Sequence, residues 1–222
     1  MPGFAGGNGY KQTEVGLIPS EWNIAKLSDL LTRTPDYGIN APAVDYSEGL
    51  PTYVRITDIT DDGRFSSEKV VSVNHPQSHH YYLSDGDIVL ARTGASVGKS
   101  YRYRPEDGDL IFAGFLIRVV TDKSKLLPGY LSSYLQTGLY WNWVRITSMR
   151  SGQPGINGKE YAQLPLPVPS LEEQRAIASF LSDMDSEIIA LENRREKTRT
   201  LKQGMMQELL TGRIRLVQGG AA

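Results

Sequence analysis

The sequence predicts an α+β fold: a mixed α/β globular domain followed by one long C-terminal α-helix that forms an antiparallel coiled coil. Three observations carry this. Short β-type runs broken by Gly-bearing turns fill residues 53–120. A Pro-rich break, Leu164-Pro165-Leu166-Pro167-Val168-Pro169-Ser170, ends the mixed pattern. Beyond it, residues 171–216 keep a 3-4 alternation of apolar positions without a single proline.

In chain order, residues 1–15 are Gly-rich at their start and read as a flexible N-terminus, with no apolar core of the signal-peptide kind. The globular domain is expected over 16–168. Its first ordered element is Gly16–Leu31, where Trp22, Ile24, Leu27, Leu30 and Leu31 suggest a strand and then a helix. Residues 32–52 read as loop, rich in Pro, Gly, Asp and Asn. Strands are expected at 53–56, 70–73, 87–92, 99–104 and 111–120, punctuated by Asp61-Asp62-Gly63, Ser84-Asp85-Gly86 and Glu106-Asp107-Gly108. Pro128–Val144 has helical spacing and an aromatic cluster, Tyr140, Trp141 and Trp143, expected in the core. Residues 145–160 read as a polar, Gly-rich loop. Pro165 and Pro167 make 164–168 an edge or crossing segment.

The helix occupies 170–216, with 217–222 as a flexible tail. Ser170 is its expected N-cap, and Glu173 three positions on completes a capping-box signal. Residues 172–192 carry six acids against one base, and residues 194–215 seven bases against two acids. A parallel copy would be repelled by that split and an antiparallel copy attracted. The seam runs Leu181, Met184, Ile188, Leu191, Arg195, Thr198, Lys202, Met205, Leu209, apolar at both ends and polar in the middle. Leu181, Met184, Ile188, Leu191, Thr198, Met205 and Leu209 are therefore the expected dimerisation residues. The amphipathic pattern alone also fits a helix folded back on its own domain; the charge split and the length argue against that.

Net charge is −1, so affinity for a polyanion has to come from local patches. The absence of cysteine fits a reducing cytoplasm and removes thiolate chemistry. No apolar run approaches the length of about 18 residues that a membrane span needs. Gly94–Ser100 imitates a phosphate loop. However, three residues separate its glycines where four are needed, and Tyr101-Arg102-Tyr103-Arg104 alternates like a strand where a helix should begin. His75, His79 and His80 give a single i, i+4 pair without a nearby acid, which reads as a solvated loop. No catalytic constellation emerges. Two segments without acids are left as candidate DNA contacts. One holds Arg92, Thr93, Ser96, Lys99, Arg102 and Arg104, interleaved with Tyr101 and Tyr103. The other holds Arg145, Arg150, Ser151, Gln153, Asn157 and Lys159. Arg and Lys suit phosphates or guanine, and Gln and Asn suit adenine edges.

Gly16-Leu17-Ile18-Pro19-Ser20-Glu21-Trp22, Gly86-Asp87-Ile88-Val89-Leu90-Ala91-Arg92-Thr93-Gly94 with Gly98-Lys99, Ser151-Gly152-Gln153-Pro154-Gly155-Ile156, Glu172-Glu173-Gln174-Arg175-Ala176-Ile177-Ala178 and Leu209-Leu210-Thr211-Gly212-Arg213-Ile214-Arg215-Leu216 together resemble type I restriction-modification specificity subunits, in the family's order over residues 10–217. The resemblance implies a target-recognition domain that reads half of a split DNA site and a spacer helix packed antiparallel on its counterpart. Full-length members carry two of each. The expectation is therefore a half-length, non-catalytic subunit, dimeric through its helix, in a bacterial or archaeal cytoplasm. Its implied partners are DNA, a second copy, methyltransferase subunits and a translocating nuclease subunit. S-adenosylmethionine, ATP and Mg are expected only on those partner subunits. The rival class is an adhesion or scaffold module with a coiled-coil stalk and no DNA binding.

Overall fold

The structure, a computed structural model, describes residues 9–149 and 154–216. The chain divides into two compact units between Ala178 and Ser179, so the first turns of the long helix belong with the globular unit and not beyond a boundary at 168–170.

Order begins earlier than Gly16. β1 (Tyr10–Thr13) pairs antiparallel with β2 (Gly16–Pro19), Tyr10 opposite Pro19 and Thr13 opposite Gly16. YKQT has no apolar alternation; its backbone pairing, the Thr13 hydroxyl bond to Gly16 O (2.7 Å) and the burial of Val15 and Ile18 hold it. β3 (Asn23–Lys26) leads into a single 3₁₀ turn, Leu27–Leu30, in place of the expected helix, with Leu27 and Leu30 buried. The segment read as loop contains two-residue strands, β4 (Asp36–Tyr37) and β5 (Val44–Asp45).

β6 (Thr52–Val54), β7 (Val71–Ser72), β8 (Ile88–Ala91), β9 (Ser100–Arg102), β10 (Leu110–Phe112) and β11 (Leu116–Val119) complete two four-stranded sheets, ordered β10-β6-β7-β5 and β4-β11-β8-β9. The expected single strand at 111–120 is two strands in different sheets. It breaks at 113–115, where the Gly114 N–H donates to Ile39 O (2.8 Å) and the Leu116 N–H to Ala113 O (2.8 Å). An uninterrupted apolar run hides such a turn because both strands are buried.

β8 shows why its sequence does not alternate in polarity. Ile88 and Leu90 pack with the helices, while Val89 and Ala91 pack with Val54, Tyr101, Leu110 and Phe112 against the other sheet. The β4-β11-β8-β9 sheet is thus a middle layer, apolar on both faces.

The helical stretch is two helices, α1 (Pro128–Tyr134) and α2 (Gly138–Ser148), divided by Thr137, whose hydroxyl accepts from the Tyr140 N–H (3.3 Å). α2 therefore reaches into the segment expected as loop, and α3 (Gly158–Tyr161) takes another part of it, capped by Asn157. β12 (Pro165–Val168) pairs with β3 in a two-stranded sheet, where its prolines cost little.

α4 (Leu171–Leu210) is one helix of 40 residues, about 60 Å at 1.5 Å per residue. Ser170 caps it, its hydroxyl accepting from the Glu173 N–H (3.2 Å); the Glu173 carboxylate takes the Trp22 indole N–H (3.0 Å). Gln174 in the first turn is wholly buried: it accepts from the Leu127 N–H and donates to the carbonyls of Lys125 and Pro169. The helix ends before Gly212, which takes a positive φ of 73°.

Candidate nucleic-acid interface

The candidate residues of the first patch sit at opposite ends of the β8–β9 hairpin. Ile88 pairs with Arg102 and Leu90 with Ser100, so the turn 92–99 lies at one end and Arg102 with Arg104 at the other. The turn is tight for a steric reason. Gly98 has φ 90°, and a Cβ there would lie within 3.0 Å of both Val144 methyls; the Tyr140 hydroxyl donates to the Gly98 carbonyl (2.7 Å). α2 therefore backs the turn.

At this end three further segments converge. The Arg92 N–H donates to Phe115 O (3.1 Å) and the Arg92 carbonyl accepts from the Ile156 N–H (2.9 Å). Thr93 forms a bridge with Gly155, and the Gly94 N–H donates to Pro154 O (3.2 Å). The Arg92 guanidinium lies 4.8 Å from the centre of the Tyr37 ring, and the Tyr37 hydroxyl accepts from the Gly158 N–H (3.0 Å). β4 makes the opposite approach through Gly38, where a Cβ would sit 2.2 Å from Ala113 O. The sheet end thus gathers Arg92, Thr93, Ser96, Tyr37, Phe115 and the 154–159 segment. Asn157 Oδ1 accepts from the Glu160 N–H (3.0 Å) and the Glu160 carboxylate from the Asn157 N–H (2.8 Å), a capping box that leaves Lys159 exposed.

The freedom from acids holds along the chain but not in space. Lys99 Nζ meets Asp61 at 2.7 Å. Arg102 and Arg104 line a cleft with Asp85, Glu106 and Lys123, beside Pro128 and Gly129 of α1. Tyr101 and Tyr103 do not interleave with the arginines at the surface. Both are buried, their hydroxyls donating to Asp107 (2.6 Å) and Gly108 O (3.0 Å), and burial with the Asp107 charge pushes the Tyr101 hydroxyl well above its ordinary value. A strand that begins in the core sends its alternate residues inward whatever their neighbours are. Arg145 is exposed on α2 and donates to Asn142 Oδ1 (2.8 Å). Trp143 packs at the core edge as expected, but Trp141 is 36% exposed, its ring edge-on to Tyr140. Arg150, Ser151 and Gln153 lie outside the described residues.

Tyr37 and Phe115 carry no signal in the sequence. Tyr37 lies in a Pro-Asp-Tyr-Gly stretch that reads as turn, and Phe115 in an apolar run that reads as strand.

The opposite end of the same sheet is closed. Arg118 is 6% exposed, bonded to Asp36 (2.7 Å), Asp87 (3.4 Å) and the Tyr82 carbonyl (2.9 Å), with its guanidinium 4.8 Å from the Phe112 ring centre. Burial raises the Asp87 carboxyl above its ordinary value, while the Ser84 backbone and the Arg118 charge act in the lowering direction.

Along α4, Leu181, Met184, Ile188, Leu191 and Met205 are exposed apolar side chains, as are Phe180, Leu201, Met206 and Leu210 off the seam. Thr198 donates its hydroxyl to the Arg194 carbonyl (2.8 Å). Among the described residues no group of three His, Asp or Glu could hold a metal, and no helix is long and apolar enough to cross a membrane.

A mixed sheet domain thus continues into one long helix, and one end of its middle sheet carries Arg92 and the exposed Lys159. Comparison with known proteins makes this specific. Residues 19–200 match the family model described as the type I restriction modification DNA specificity domain, and the chain belongs to that family. A putative type I restriction enzyme MjaX specificity subunit from Methanocaldococcus jannaschii is 30% identical over 208 residues, 91% of this chain and 48% of the relative. The type I restriction enzyme EcoKI specificity subunit of Escherichia coli strain K12 is 24% identical, over 90% of this chain and 44% of its own length. The chain thus spans about half the length of these curated relatives. The crystal structure of the HsdS subunit from Thermoanaerobacter tengcongensis superposes with a TM-score of 0.61 at 17% identity, covering 92% of this chain and 52% of the other, a likeness of fold.

Proposed function

We propose that this chain is the DNA-reading, non-catalytic element of a type I restriction-modification complex. The sheet end at 92–99, 115 and 154–159, together with Arg145, Arg150, Ser151 and Gln153, faces the duplex and reads half of a split site. α4 lies antiparallel on the same helix of a second copy through Leu181, Met184, Ile188, Leu191, Thr198, Met205 and Leu209. Methyltransferase subunits carrying S-adenosylmethionine do the chemistry, and a translocating nuclease subunit is a further partner in this reading.

The family match over residues 19–200 carries the proposal. The antiparallel pairing draws support from the opposite charge of the two helix halves and from the exposed apolar seam. Two copies related by a twofold axis would present two equal readers to a palindromic split site, with the helix length setting the unread gap.

The test is co-expression with the methyltransferase subunits in a host without adenine methylation, followed by mapping of modified sites. A split motif is expected, and inserting two helical turns after Leu191 lengthens its gap. An unchanged gap defeats the ruler. Absence of any motif, with no salt-dependent DNA binding, returns the chain to the scaffold class. Within a working complex, Arg92→Ala lowers affinity for the mapped site by about 1–3 kcal/mol if it reads a base, and equally on all sequences if it holds a phosphate.

A further inference from the structure

Phe115 contrasts with its neighbour in the same apolar run. Phe112, three positions earlier, is fully buried; Phe115 is 57% exposed. Its exposure is not that of a loose loop. The 113–115 turn is fastened to three separate segments: the Ala113 N–H donates to Val54 O (2.9 Å), the Gly114 N–H to Ile39 O (2.8 Å), and the Phe115 carbonyl accepts from the Arg92 N–H (3.1 Å). A rigid backbone therefore holds a large apolar side chain in water, beside the residue that carries the Arg92 guanidinium.

The surroundings narrow the occupant. Arg92 is bonded to this turn through its N–H and carries its guanidinium over the Tyr37 ring, Lys159 is exposed on the segment that meets 92–94, Lys99 is paired to Asp61, and the Glu160 carboxylate accepts from the Asn157 cap. An apolar knob among cations disfavours a cationic or purely apolar partner and fits a polyanion that also carries apolar groups. In the major groove, the thymine 5-methyl is the one apolar group that a base edge presents.

We infer that Phe115 is a specificity-determining residue that contacts a thymine methyl within the half-site; this rests on the DNA-reading assignment above. Because the turn is already ordered, the contact needs little further restriction of the backbone.

The experiment uses this chain assembled with its methyltransferase subunits and a randomised duplex library. The wild type enriches a split motif. Phe115→Ala loses preference for thymine at one position of each half-site and keeps the other positions. Deoxyuridine, which lacks the methyl, placed at that position weakens wild-type binding by about fivefold, the low end of what one mismatched pair costs. It leaves Phe115→Ala binding unchanged. The deoxyuridine arm needs no altered protein, so it stands even if the variant folds poorly. An identical motif and affinity in Phe115→Ala, equal losses on every sequence, or no deoxyuridine effect at any position overturns the inference while leaving the DNA-reading assignment intact. A wild-type complex that enriches no motif at all overturns that assignment and the inference with it.

Discussion

The two ends of the β4-β11-β8-β9 sheet use the same chemistry to opposite effect. At one end Arg118 lies over the Phe112 ring, with two carboxylates and a carbonyl around it, and is sealed from water. At the other Arg92 lies over the Tyr37 ring at the same 4.8 Å, half-buried, and among the described residues no carboxylate pairs with it. A cation on an aromatic ring is thus structural where acids surround it and available where they do not. What separates a closed clasp from an available cation is the neighbouring carboxylates, not the arginine.

The largest expected effect tests the closed end. Arg118→Met leaves Asp87 buried without its cation and should cost about 3–5 kcal/mol of folding stability, read as the urea midpoint. A loss below about 1 kcal/mol would make the two ends energetically alike and end the contrast. A smaller effect sharpens the open end. Tyr37→Phe keeps the ring beneath Arg92 but strips the acceptor from the buried Gly158 N–H, so stability should fall by about 1–2 kcal/mol, with the salt dependence of DNA binding unchanged. A changed salt slope would assign the hydroxyl, rather than the ring, to Arg92. The smallest effect concerns Asp87. Its carboxyl is raised in the fold, so its share of stability is present at low pH and is lost as pH rises through the folded value. Relative to Asp87→Asn, the wild type should therefore lose stability as pH rises above about 4, the ordinary aspartate value, and a flat difference there would mean that Arg118 cancels the burial.

The long helix and its Ser170 cap could be read from residues alone because each depends on local spacing and backbone chemistry, but the helix ends at Leu210 and not at the expected 216, Gly212 taking a positive φ. β8 was legible as a strand, but its two buried faces gave no direction. The site was half legible. Arg92, Thr93 and the 154–159 segment do come together, since a hairpin turn is a local object. That Lys99 meets Asp61 and that Arg102 shares a cleft with Asp85 and Lys123 could not be read, because charge balance is settled between segments brought together only by folding. Tyr37 and Phe115 escaped for the same reason. Nothing local distinguishes an aromatic residue kept at the surface by a turn from one that enters the core.

Gln174 carries a mechanical consequence. One side-chain amide rivets the root of α4 to the carbonyls of Lys125 and Pro169 and to the Leu127 amide, just ahead of α1. The base of the helix is therefore anchored, within the globular unit, both to the segment that leads into α1 and to the residue that follows β12. Replacing that amide with a carboxylate would remove the donating half of the rivet and leave the Lys125 and Pro169 carbonyls without it.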